Sequence, residues 1–356
     1  MIITRHERPP TMEAGYFSLL EFDAAQWGAV TRSLFHHDDF VESALSRWVA
    51  GAHPDYSVQR RFSASENGRL IGSAVLDLPQ VDNTHWAQLS IVIDPAHRRR
   101  GVGTALLDAS FAAAREAGRG TVHAWTWEEL PPAGARTLRA AEGDGRVSAG
   151  SESVTFMVRH GFNLAQVHTI SGLTLAAEAE LEAAADDARA ATPSTYELVQ
   201  WHGPTPAELI DDYAALRIAM STDAPSGEAD YQPEAFDAAR IRADEQSQRM
   251  AGHEQLVTAV LHDGRLVAFT CMIHDPARPE LGDQWDTLVV REHRGHGLGM
   301  LMKTASHAAL RRHSPATARV ITGNASENQW MLAINRRLGF RPIAASGLFQ
   351  RVDGGR

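Results

Sequence analysis

"REHRGHGLGMLMK", Arg291 to Lys303, carries glycine at 295, 297 and 299 and runs straight into an apolar segment with helical periodicity. Side chains vanish just where a helix begins. Glycine serves where something approaches the backbone closely, and at a helix N-terminus that something is often an anion. The stretch therefore predicts a strand, a glycine turn and a helix whose first amides are open to a negatively charged ligand.

The same arrangement occurs earlier, in "DPAHRRRGVGTALLDASFAAAREAG" from Asp94 to Gly118, with Gly101 and Gly103 displaced from Gly297 and Gly299 by 196 residues. Upstream, Asn67-Gly68 and Asp263-Gly264 each sit between alternating apolar residues, again 196 apart. Both are strong hairpin signals. Downstream, Gly161-Phe162 and Gly339-Phe340 each close a helical pattern, at an offset of 178. The first half is thus 18 residues longer, and the excess falls in the Gly/Pro/Ala-rich loop "ELPPAGARTLRAAEGDGRVSAGS". A chain that repeats itself is two domains of one design. Each half reads as an early helix, a hairpin, a third strand, the glycine turn, a helix, a strand, a helix and a last strand. The fold class expected is α/β: two tandem domains, each a mixed, mostly antiparallel sheet flanked by helices. Boundaries are expected at 1–175 and 194–356. Residues 176–193, rich in Ala and Glu and ending in Thr192-Pro193, read as a helical connector.

Bulk properties narrow the function. The chain has 356 residues, enough for two domains, with 44% apolar and 22% charged residues and a formal charge of −10. Nucleic acid is a poor partner for that charge. Apolar runs are too short for a membrane-spanning helix, and "MIITRHERPP" lacks a signal peptide's apolar core. The single cysteine, Cys271, excludes an intrachain disulfide and reads as a buried core residue. A cytoplasmic location is expected. Despite 17 histidines, no H-x-x-x-H or H-E-x-x-H pair falls on an expected helix, so no metal is expected.

The turn spacing is Arg-x-x-Gly-x-Gly, with Arg98-Gly101-Gly103 and Arg294-Gly297-Gly299. It fits neither a Walker turn nor a dinucleotide fingerprint. In this context, and with "NASENQWMLAINRRLGF" downstream, the chain resembles the GNAT acyltransferases over nearly its whole length, twice. "DTLVVREHRGHGLG" resembles the mycothiol synthase branch of that family. The resemblance implies acetyl-CoA, or another short acyl-CoA, as co-substrate and a small-molecule primary amine as acceptor. It also implies that glycine-turn amides hold the pyrophosphate and that the preceding strand's backbone pairs with pantetheine. In the second half these positions are Leu288, Val289, Val290, Arg294, Gly295, His296, Gly297, Leu298, Gly299 and Met300. In the first half they are Ile91, Val92, Ile93, Arg98, Arg99, Arg100, Gly101, Val102, Gly103 and Thr104. Asn324 and Asn328, flanking the start of the last helix, are further cofactor candidates. Asn328 also reads as an N-cap.

An aliphatic ammonium with a pKa near 10.4 is neutral in about one molecule in 2,500 at pH 7, a deficit of roughly 4.6 kcal/mol. A base therefore matters. The family position for it is Asp286, in a strand otherwise apolar, with Asp283 in reserve; the first half has Ser90 there. The family's general-acid tyrosine is replaced by Asn335 in the second half and Met157 in the first. Asn335 is able to hydrogen-bond a leaving thiolate without readily giving it a proton. Asp223, between the early helices, is expected to receive the substrate ammonium. Trp125, Trp127, Trp285 and Trp330 read as packing or cleft walls. The second half is the expected catalyst, by direct transfer with an oxyanion meeting a backbone N–H near Val289 or Val290. The alternatives are mycothiol synthase itself and a CoA-sensing module without turnover.

Overall fold

The computed structural model describes residues 1–38 and 40–352. It divides into two units. Unit 1 comprises Met1–His168, Ser226–Gln232 and the C-terminal segment from Ala344, and unit 2 comprises Thr169–Pro225 and Pro233–Ile343. No described helix is long and apolar enough to cross a membrane.

The first repeat runs β1 (Ile2–His6), α1 (Ala14–Phe35), α2 (Ala44–Val49), β2 (Ser57–Glu66), β3 (Arg69–Pro79), β4 (Trp86–Ile93), α3 (Val102–Glu116), β5 (Thr121–Glu128), β6 (Thr137–Arg139), β7 (Arg146–Ser148), α4 (Glu152–Arg159) and β8 (Asn163–Thr174). The second runs α5 (Glu178–Ala190), β9 (Tyr196–His202), α6 (Ile210–Asp223), α7 (Ala238–Met250), β10 (Glu254–His262), β11 (Arg265–His274), β12 (Leu281–Val289), α8 (Leu298–His313), β13 (Arg319–Ala325), α9 (Gln329–Leu338) and β14 (Arg341–Val352). The extra first-half loop folds as the small ribbon β6–β7. Both hairpins form at the expected dipeptides. Asn67, Gly68, Asp263 and Gly264 all have positive φ, as a tight two-residue turn matched to strand twist requires.

Unit 1 has the sheet order β1-β2-β3-β4-β5-β14, antiparallel except for β4–β5. Its core packs Val102, Leu106, Leu107 and Phe111 of α3 against Phe62, Ile71, Leu76 and Leu89 of the sheet. Each such side chain contributes roughly 1.5–3 kcal/mol. Unit 2 has the order β9-β10-β11-β12-β13, with only β12–β13 parallel. One sheet face packs on α6 and α7 through Tyr213, Leu216, Ile241, Val257 and Phe269. The other packs on α8 through Val260, Val267, Leu301 and Met302.

The units differ from the sequence-based boundaries in two ways. The last strand, expected in 194–356, groups with unit 1. It lies antiparallel on β5, from Ala345 opposite Glu128 to Val352 opposite Thr121, and buries Phe349 in the unit 1 core. The expected connector 176–193 belongs to unit 2. Leu181 and Ala188 of α5 pack into its clusters, and Glu182 pairs with Arg312 of α8. An Ala/Glu-rich segment with an apolar stripe prefers a helix face to a free spacer.

Candidate functional site

Both glycine turns form as expected. Gly101 and Gly297, at φ 85° and 79°, cap α3 and α8 in the left-handed region. The first intrahelical bonds of those helices are Ala105 N–H to Gly101 O and Leu301 N–H to Gly297 O. The amides of Val102, Gly103 and Thr104, and of Leu298, Gly299 and Met300, therefore point out of the helix ends without a backbone acceptor. Gly103 and Gly299 have another reason to lack a side chain. A Cβ there would meet Phe156 at 3.2 Å and Ile334 Cδ1 at 2.9 Å, so they let the next helix pack. Arg99 (φ 60°) holds the left-handed position that Gly295 (φ 84°) holds in unit 2.

The turn arginines brace the turns. Arg98 Nε donates to Ile93 O at 3.4 Å, and Arg294 Nε to Val289 O at 2.9 Å, equivalent positions in the two halves. Their other nitrogens meet carboxylates: Arg98 with Glu152, Arg294 with Asp223 at 2.7 Å. Arg100 pairs with Glu66. Asp223, expected at the substrate amine, instead clamps Arg291 and Arg294 and is nearly buried. Its position at the end of α6 places it beside the turn, where two guanidinium groups take up its charge. His296 packs at a tilt against Tyr196, whose hydroxyl meets His293 Nδ1 at 3.0 Å.

The strand before each turn parts from its parallel neighbour. β4 pairs with β5 only from Trp86 to Leu89, which leaves Ser90, Ile91, Val92 and Ile93 free on that side. β12 pairs with β13 only from Leu281 to Asp283, and Thr322 of β13 still donates to the Gln284 carbonyl at 2.9 Å, so the strand is open from Trp285 to Val289. In unit 2 a bulge accompanies the splay. Thr270 faces Thr287 while Met272 faces Gln284, one extra residue on β12 at Trp285 and Asp286. Bulges bend a strand and re-aim its side chains. β4 has no bulge, since its register with β3 is continuous from Gly72–Ile93 to Asp77–Gln88.

A buried polar chain pins the bulge. His307 Nε2 donates to Gln284 Oε1 (3.0 Å), and Gln284 Nε2 to Thr270 Oγ1 (2.9 Å). Thr270 Oγ1 in turn lies 2.7 Å from Thr287 Oγ1 and 3.3 Å from the Asp286 carbonyl oxygen. Burial, then Lys303, pushes the His307 pKa down to about 3, so its ring is neutral and Nε2 carries the proton. Lys303, one turn earlier on α8, is only 1% exposed, and burial brings it down to about 7. At the equivalent positions unit 1 has Ala74, Leu89, Ile91, Leu107 and Phe111, all apolar, Leu89 lying opposite Leu76 as Gln284 lies opposite Met272.

On the opposite sheet face lies a cavity of about 220 Å³, lined among others by Tyr213, Arg217, Asp244, Gln255, Trp285 and Asp286. Asp286 faces Arg217 across 3.7 Å. Burial opposes the Arg217 charge, but Asp286, then Tyr213 and Asp244, hold its pKa above the ordinary value. Asp283 stands where the splay closes. Its carboxylate accepts from Trp285 Nε1 at 2.8 Å. Part of its surface meets solvent, yet the packing around it desolvates the carboxyl enough to push its pKa up to about 6, against Trp285 and Arg278. Cys271 is buried, and desolvation pushes its thiol up to about 12, as befits a core residue.

The remaining candidates are structural in position. Asn335 is buried and donates to Asn324 Oδ1 at 2.6 Å, so its amide is engaged. Asn328 caps α9 by accepting from Met331 N–H. Trp285 is a cavity wall, whereas Trp330 is 86% exposed. Trp125 packs on His168, and Trp127 on Phe35 and Phe40. Sequence reading missed the polar chain, because Thr270, Gln284, Thr287 and His307 meet only in the fold. It also missed a cluster of His202, Glu254 and His313, drawn from three separate elements.

A mixed sheet with a splayed parallel pair and a glycine turn feeding a helix, present twice, gives the chain the fold of a tandem GNAT protein. Residues 21–135 match the Acetyltransferase (GNAT) family. Over its whole length the chain is similar to a tandem GNAT protein from the clavulanic acid biosynthesis pathway, with a TM-score of 0.74 and 24% identity, covering 100% of this chain and 99% of that one. It is also similar to mycothiol acetyltransferases: 42% identical over 122 residues to that of Thermomonospora curvata and 46% over 77 residues to that of Clavibacter michiganensis subsp. michiganensis. Those stretches cover 33% and 22% of this chain and only 36% and 22% of the relatives' own lengths.

Proposed function

We propose that the chain is an acetyl-CoA-dependent N-acyltransferase for a small primary amine, with unit 2 as the catalyst. The observation that carries this reading is the β12–β13 splay, which begins at an open helix N-terminus and closes at Asp283. From Val289 to Trp285 it offers four residue steps of unpaired strand, about 14 Å. A pyrophosphate at the amides of Leu298, Gly299 and Met300 would lay pantetheine along that edge and bring the thioester to its foot.

The acceptor enters from the cavity on the α6–α7 face, where Asp244 and Asp286 outnumber the one guanidinium, Arg217, that they share and so favour an ammonium. Asp283 is the better base. A carboxyl near 6 is ionised at neutral pH yet close enough to it to take a proton efficiently. Protonating Asp286 would instead break its pair with Arg217. The amine nitrogen, relieved of its proton by Asp283, attacks the thioester carbonyl. The oxyanion meets a β12 backbone N–H, the carbonyl re-forms as the C–S bond breaks, the nitrogen's second proton passes to the departing thiolate directly or through water, and Asp283 returns the first to solvent.

Unit 1 keeps the turn but has no carboxylate and no bulge on β4, and apolar residues stand where unit 2 has its Thr270–Gln284–His307 chain. It serves as scaffold or binds CoA without turnover. A second reading, transfer to the cysteinyl amine of a mycothiol precursor, draws support from the two mycothiol acetyltransferase relatives. A panel of amines with acetyl-CoA, read as free thiol, tests the proposal. Amine-dependent thiol release supports it; tight acetyl-CoA binding with no release for any amine would favour the sensing module.

A further inference from the structure

Four elements of unit 2 end at one place. His202 is the last residue of β9, Glu254 the first of β10, His274 the last of β11 and His313 the last of α8. Register brings the strands' ends together: Glu254 lies opposite His274, and His202 opposite Leu256. The Glu254 carboxylate is the hub. Its Oε2 lies 2.6 Å from His313 Nε2, 3.3 Å from His274 Nδ1 and 3.8 Å from His202 Nε2. The rings of His202 and His313 stand 4.1 Å apart, tilted by 53°. One ligand atom from each of His202, Glu254 and His313 falls within 4.8 Å of the others.

We propose that His202, Glu254 and His313 bind one divalent cation of the zinc class, with His274 holding the carboxylate from behind. Two imidazoles and a carboxylate suit zinc, whereas magnesium and calcium want oxygen alone. Bonds of about 2.0–2.2 Å at tetrahedral angles need donor atoms roughly 3.3–3.5 Å apart. The donor atoms now lie within 4.8 Å of one another on partly exposed side chains, so binding requires those side chains to rotate together. The ion takes the place of the His313–Glu254 hydrogen bond, and water completes its coordination. His274 is only 4% exposed and meets the same carboxylate, the orienting contact that bound ligands usually have. The bound ion would tie the C-terminus of α8 to the ends of β9 and β10. The competing account is a plain ion pair, His313 in its cationic form with Glu254, at the negative end of α8.

The test uses the full chain without a histidine tag, freed of metal by a chelator. Zinc chloride is titrated at pH 7.5 by calorimetry and equilibrium dialysis with metal analysis. One tight equivalent per chain is expected, with roughly one proton released. His202→Ala and His313→Ala should each weaken it at least 100-fold, and His274→Ala about 10-fold. Zinc at 100 times its dissociation constant should raise the folded-to-unfolded ratio about 100-fold. Cobalt in place of zinc should give the visible absorption of a four-coordinate site. Circular dichroism establishes that each variant is folded, and Glu254→Gln, nearly isosteric, serves if an alanine variant is not. Absence of a saturable single equivalent, or wild-type affinity in folded His202→Ala and His313→Ala, would overturn the site and leave the ion-pair account.

Discussion

Two aspartates three residues apart on one strand do different work because their neighbours differ. Asp286 faces a buried guanidinium, and Asp283 faces an indole N–H in a desolvated corner. Asp286→Asn is therefore expected to act on amine binding. Its KM should rise about tenfold, the ~1.4 kcal/mol of one weakened charge contact, while kcat stays within about threefold. Steady-state kinetics at saturating acetyl-CoA check this split; a kcat loss with unchanged KM would contradict it. The sequence marked this strand as chemically active by its carboxylates. It did not rank them, because the ranking depends on Arg217 from α6 and on a bulge that only pairing reveals. Asp223 shows the converse. A lone acid in a loop reads as a ligand for substrate, yet two arginines of the turn reach it first.

At the scale of elements, α8 has two roles, an anion-binding N-terminus and a buried face, and each yields an expectation. Gly297→Val puts a branched residue at φ 79°, in the open end of the helix. Acetyl-CoA affinity measured by calorimetry should fall at least tenfold, about 1.4 kcal/mol, in a folded variant. Gly101→Val should leave most turnover intact; the reverse pattern would move the catalyst to unit 1. On the buried face, Lys303 has no carboxylate within ion-pair distance among the described residues, and its ammonium lies 5.8 Å from the Phe340 ring. Its folded pKa of about 7 lies below the ordinary 10.5, so the unfolded chain binds more protons between those values. Wild-type stability should gain from this group as pH rises from 7 to 10.5, and the full cost should persist below 7. Lys303→Met is thus expected to be more stable at pH 7 by at least ~1 kcal/mol, with the gap closing toward pH 10 in urea titrations. The hairpins, turns and helices were legible because dipeptide chemistry and periodicity are local. Lys303 and His307 were not: inside a helical pattern they look like solvated residues.

The whole molecule is a repeat whose last strand is reassigned. Offsets of 196 residues fix the repeated plan, but no local pattern says which sheet a terminal strand joins. Phe349 makes the point testable. It lies in the second repeat's sequence and in unit 1's core. Phe349→Ala should cost about 3–5 kcal/mol. Hydrogen exchange should show lost protection in β5 and α3, with β10–β12 little changed. Loss confined to β10–β12 would mean that the strand belongs to its own repeat.

The central claim is that acyl transfer occurs at the foot of the β12–β13 splay with Asp283 as base. The pH dependence of kcat for thiol release, in wild type and Asp283→Asn, tests it most directly. The wild-type rate should rise with pH and level off above about 6, as the Asp283 carboxyl loses its proton. The variant should bind acetyl-CoA normally, lose about 10²- to 10⁴-fold in kcat and lack that limb. An Asp283→Asn enzyme with wild-type kcat and the same limb near 6 would contradict the account.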